Sequence, residues 1–76
     1  MALMISVTPA GEGWAIHSDQ LAEDLIFPTG GKAEAAARAL ARRKADEGLD
    51  AEVHIFLRGG ALAGVVNVTS RLIANR

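Results

Sequence analysis

The hydrophobic pattern of this 76-residue chain changes period twice, from alternation to helical spacing and back. Leu3 to Thr8 alternates and is rich in branched residues, as a strand with one buried face requires. Pro9-Ala10-Gly11-Glu12-Gly13 then reads as a hairpin loop. Trp14 to Ser18 is the second strand, with Trp14 and Ile16 on one face and Ala15 and His17 on the other, and its expected partner is the first strand. After the polar Ser18-Asp19-Gln20 turn, Ala22 to Phe27 forms a third strand that carries the acidic pair Glu23-Asp24 and ends at Pro28.

From Thr29 the spacing becomes helical. Ala33, Ala36, Ala37, Leu40, Ala41 and Ala45 recur at intervals of three and four and make one narrow apolar stripe. Thr29 is the expected N-cap, the helix runs to about Glu47, and Gly48 supplies a left-handed stop. Opposite charges four apart, Glu34 with Arg38, Arg42 with Asp46 and Arg43 with Glu47, account for most of the helix charge. Glu52 to Leu57 returns to alternation. Arg58-Gly59-Gly60-Ala61 suits a type I′ turn with both glycines at positive φ, and Leu62 to Thr69 is the fifth strand, in which Gly64 signals a bulge or a close backbone approach.

A stripe made almost wholly of methyl groups lets a helix lie close to a sheet of larger residues: Leu3, Ile5, Val7, Trp14, Ile16, Val53, Ile55 and Leu57. The predicted fold is therefore α+β, an antiparallel sheet of four to five strands in the order β-β-β-α-β-β with one helix packed on one face. Residues 1–76 form a single domain, with 69–76 as a tail or dimer-contact segment. One helix covers only one sheet face, so a homodimer is expected.

Composition narrows the function. No cysteine is present, which fits a reducing cytoplasm, and no stretch reads as a signal peptide or membrane span, so the expectation is a cytoplasmic protein without membrane contact. The first 31 residues carry a charge of minus four and the remainder plus three, for a net charge of minus one, which gives no general attraction to nucleic acid.

Val7-x-Pro9 followed by Gly13-Trp14-Ala15-Ile16, the helix start at Thr29, the Glu34-Ala35 and Ala37-Arg38 pairs, Leu40-Ala41, and Val53-His54-Ile55 ahead of a glycine turn resemble a family of short bacterial and phage-encoded proteins. That family is catalogued as domain of unknown function 2188, and the resemblance spans roughly residues 5–66. It implies a small α+β unit. The family has no assigned activity, so the resemblance transfers no functional residue. Gly30-Gly31 and the segment after Thr69 depart from its pattern.

Candidate chemistry is sparse. Gly30-Gly31-Lys32-Ala33 resembles the end of a phosphate-binding loop, but Ile26 stands where the first glycine belongs and Ala33 where the Ser or Thr should follow the lysine. His17 and His54 are the only imidazoles, too few for a metal site by themselves. If Trp14 and Val53 face the helix, both histidines lie on the opposite sheet face. Ser6, Ser18 and Ser70 show no histidine and acid at catalytic spacing, and the chain has no cysteine or tyrosine. No cofactor is expected, and the reading is a non-enzymatic interaction or accessory module that self-associates or binds a protein partner. Its proposed interface is His54, Phe56, Val66, Val68, Leu72 and Ile73. The alternative is a nucleic-acid-binding module using Arg38, Arg42, Arg43 and Lys44, although the sheet lacks the exposed aromatics that stack bases.

Overall fold

The computed structural model describes residues 2–70. The strands are β1 (Leu3–Ala10), β2 (Gly13–Ser18), β3 (Leu25–Phe27), β4 (Ala51–Phe56) and β5 (Leu62–Val68), with helix α1 (Gly30–Asp46) between β3 and β4. They form one five-stranded sheet in the order β3-β2-β1-β4-β5. The α+β class, the element order and the single packed helix are as the periodicity predicts. Every neighbouring pair is antiparallel except β1 and β4, which run parallel at the centre of the sheet. The helix produces that exception: after three antiparallel strands it carries the chain back across the sheet, so β4 enters beside β1 in the same direction.

Local chemistry sets the helix ends. Thr29 has extended backbone, and its Oγ1 accepts the Lys32 N–H at 3.2 Å, which satisfies one of the free amides of the first turn. At the other end Gly48 takes φ +100°, its N–H donates to the Ala45 carbonyl at 3.1 Å, and the Leu49 N–H donates to the Lys44 carbonyl at 2.9 Å. This pair of bonds is a Schellman motif.

The core lies between α1 and one sheet face. Ile5, Val7, Ile16 and Val53 are fully buried there against Ala33, Ala37, Leu40 and Ala41, and Leu3, Trp14, Phe27, Ile55, Val66 and Val68 pack at its margin. A Cβ added at Gly30 would lie 3.1 Å from the Trp14 indole, so this glycine lets the first helical turn rest on the ring.

Several boundaries differ from the sequence expectation. β1 continues through Pro9 and Ala10, with Pro9 opposite Trp14; its pairing with β4 ends at Val7, so the proline occupies the part of β1 that has a neighbour on one side only. β3 is reduced to Leu25–Phe27, which leaves Glu23 and Asp24 outside the ladder. β4 ends at Phe56, and Leu57, expected to face the helix, is 52% exposed. Gly60 has positive φ and Gly59 does not. The Gly60 N–H donates to the Leu57 carbonyl at 2.8 Å, and the Leu57 N–H donates to the Ala61 carbonyl at 2.8 Å, which closes a three-residue loop instead of a type I′ turn. Among the described residues no helix is long and apolar enough to cross a membrane.

Candidate interaction surface

Strand registers define the sheet face opposite α1. Val65, His54, Ser6 and His17 lie abreast on it across β5, β4, β1 and β2. Asn67, Glu52 and Met4 form the row on one side of them, while Thr8, Ala15, Ile26, Phe56 and Leu62 lie on the other. Among the described residues no element packs over this face. Its large apolar side chains stay accessible: Ile26 is 65% exposed, Leu62 51%, Met4 50% and Val65 43%, while Phe56 is half-buried.

Both histidines fall on this face, away from Trp14 and Val53, and each is held by a carboxylate. His17 Nδ1 lies 2.8 Å from Asp24 Oδ1, and His54 Nε2 lies 3.0 Å from Glu52 Oε1. The register places Ser6 between His17 and His54 on neighbouring strands. Sequence spacing gives no sign of it, because residues 6, 17 and 54 meet only once the strand order is known. Among the described residues the Ser6 hydroxyl bonds to neither ring. The two shallow grooves at the end of the sheet do not include this row. No group of three His, Asp or Glu side chains among the described residues is arranged to hold a metal.

The proposed interface residues divide. His54 and Phe56 are on the open face, as alternation from Val53 predicts. Val66 and Val68 are not; they pair with Val53 and Ala51 and pack against the core side. The cause is a bulge. Leu62 lies opposite Phe56, but the next pair is Gly64 with Ile55, which leaves Ala63 as an extra residue. Without that extra residue, counting by twos from Leu62 would place Val66 and Val68 beside Phe56. The bulge reverses the phase, so Val65 and Asn67 take the open face. Leu72 and Ile73 lie outside the described residues. Met4, Ile26, Leu62 and Val65 were missed by the sequence reading, although for Met4 the alternation around Ile5 already carries the signal.

Two shallow grooves bracket the same end of the sheet. One, of about 290 Å³, is lined by Thr8, Pro9, Phe56, Leu57, Arg58 and Gly60. The other, of about 540 Å³, includes Glu12, Ile26 and Pro28. Arg58 crosses the sheet end near them: its guanidinium donates to the carbonyls of Gly11 at 3.1 Å, Glu12 at 3.3 Å and Gly13 at 3.5 Å, and lies 5.4 Å from the Trp14 ring centroid.

The four basic residues of the nucleic-acid alternative, Arg38, Arg42, Arg43 and Lys44, differ in their surroundings. Arg38 is bound to Glu34, with Nη2 2.7 Å from Oε2. Lys44 follows Ala37, Leu40 and Ala41 by seven, four and three positions, which places its stem in the packed stripe, and its ammonium reaches Glu47 at 3.5 Å. Arg42 and Arg43 are exposed.

The chain matches no protein-family model, no curated protein and no solved structure.

Proposed function

We propose that this domain is a non-enzymatic interaction module that self-associates through the open face of its sheet. One observation carries the reading: Met4, Ile26, Phe56, Leu62 and Val65 lie on a single face over which no described element packs. Exposed apolar side chains gathered on one face are a usual mark of a contact surface; here Leu62, Phe56 and Ile26 lie along one row, and the polar row of His54, Ser6 and His17 separates them from Met4. Kinship with the family of unknown function, and a place in a reducing cytoplasm, belong to the same proposal and rest on the sequence motifs and the lack of cysteine.

Size sets the expected strength. Five strands about 4.8 Å apart give a face of order 500 Å² per copy, below the roughly 800 Å² per partner of a standard interface. Association through this face alone therefore belongs to the weak, transient class. Light scattering from low micromolar to millimolar concentration should show a mass that rises above one chain, and Phe56→Glu should remove whatever part of that rise is made through the open face, with unchanged circular dichroism, since Phe56 lies outside the core. A wild type that stays monomeric at millimolar concentration removes the proposal.

A further inference from the structure

The two edges of the sheet are built differently. β3 is three residues long, is stopped by Pro28 and follows Glu23 and Asp24, so it offers little ladder and adjacent negative charge. Short strands, prolines and charges are how sheet edges are kept from pairing with other chains. β5 has none of these three, and its one irregularity, the bulge at Ala63, lies near its start and leaves Gly64 to Val68 in regular register. It runs for seven residues, Leu-Ala-Gly-Val-Val-Asn-Val, with no charge and no proline, and among the described residues no strand pairs with its outer side. It is also held in place at both ends, by the Leu57–Ala61 turn and by the Ser70 N–H donating to Asp50 Oδ1 at 2.6 Å.

Gly64 adds an independent observation. Its φ is not positive, and a Cβ built on it meets nothing within 4 Å. Neither a positive φ nor packing among the described residues requires glycine there, and glycine weakens a strand interior. The adjacent bulge at Ala63 is one reason for a glycine here, and the missing side chain also leaves the outer edge open to close approach by another strand.

We infer that β5 pairs antiparallel with β5 of a second copy, about a two-fold axis normal to the sheet, to form a continuous ten-stranded sheet. The second copy is favoured over an unrelated strand because β5 is compatible with itself. An uncharged strand meets no like charge on its own image, and this axis keeps both helices on one side. With either Val65 or Val66 on the axis, a valine of the partner, Val66 or Val68 respectively, falls opposite Gly64, where there is no side chain to obstruct it. Val66 and Val68, half-buried at the margin of the core, gain cover from the partner's equivalents. The pairing uses main-chain groups of the edge and does not depend on the open face being covered.

The test is amide exchange by NMR at low micromolar and millimolar concentration, read beside the light-scattering mass. The expected result is a dimer in which the outward-pointing half of the Leu62–Val68 amides exchanges at least about tenfold more slowly at high concentration. Gly64→Lys, whose added Cβ meets no described residue within 4 Å, should restore fast exchange and monomer mass, whereas Phe56→Glu should leave the edge dimer intact. A dimer whose outward β5 amides exchange as in the monomer overturns the edge pairing and leaves the face reading standing. A protected dimer that survives Phe56→Glu does the reverse. A millimolar monomer, a monomer with those amides already protected by its own chain, or a Gly64→Lys variant that dimerises as before also overturns the edge pairing.

Discussion

Ile5 and Ile26 are the same residue in the same sheet, yet Ile5 is fully buried and Ile26 is 65% exposed. Ile5 faces α1 and Ile26 faces away. The contrast holds across the centre of the two faces: one has Ile5, Val7, Ile16 and Val53 sealed beneath a stripe of alanines, with Leu25 at the β3 edge still 43% exposed, and the other leaves Met4, Ile26, Leu62 and Val65 accessible. The hydrophobic content of a strand position in this protein therefore says little about its energetic weight. The side of the sheet on which it lies decides whether it holds the fold or is left for contact.

The most direct way to break this comparison is to make the same substitution on both faces. Ile5→Ala should lower unfolding free energy by about 2–5 kcal/mol, the usual range for emptying a core site, out of a total of roughly 4–11 kcal/mol for a chain of this length. Ile26→Ala should stay within about 0.5 kcal/mol. Urea unfolding of the two variants measures the difference, and similar losses would mean that the open face is covered in solution. The helix permits a second paired test of smaller size. Ala37→Leu forces extra carbons between helix and sheet and should cost about 1–3 kcal/mol, while Ala35→Leu, two residues away and exposed, should cost close to nothing. Thermal melts followed at the helix signal would separate them.

Which parts of this were legible in the sequence depends on the range over which each is determined. The helix was, because the Thr29 cap, the Gly48 stop and the spacing within the alanine stripe are each set by residues within a turn or two. The facing of Ile5, Val7, Ile16 and Val53 was legible too, since unbroken alternation carries a side assignment along a strand. Val66 and Val68 were misassigned because one extra residue at Ala63 reverses that alternation, and the glycine after it does not reveal where the bulge lies. Pro9 reads as a loop residue until the end of its β4 pairing at Val7 is known. The His17, Ser6 and His54 row, like the parallel β1–β4 pair, depends on strand order, which is set by the route of α1 over the sheet and not by any local pattern.

The smallest expected effect concerns the end of the sheet where the two faces meet. Arg58 leaves β4 and reaches back over β1 to three carbonyls of the β1–β2 turn, with its guanidinium against Trp14. A planar fork with several donors suits three adjacent carbonyls, and a lysine ammonium, a single point of charge, does not. The side chain is exposed, so water replaces much of what is lost, and Arg58→Ala should cost about 1 kcal/mol, near the exposed value for a cation against an indole. Arg58→Lys should recover little of it. Trp14 is the only tryptophan, so its fluorescence reports this corner alone. A red shift in both variants, with the far-ultraviolet spectrum unchanged, would show that Arg58 shields the covered face at its open end. Unchanged emission would mean that Gly30 and the first turn of α1 hold the ring without it.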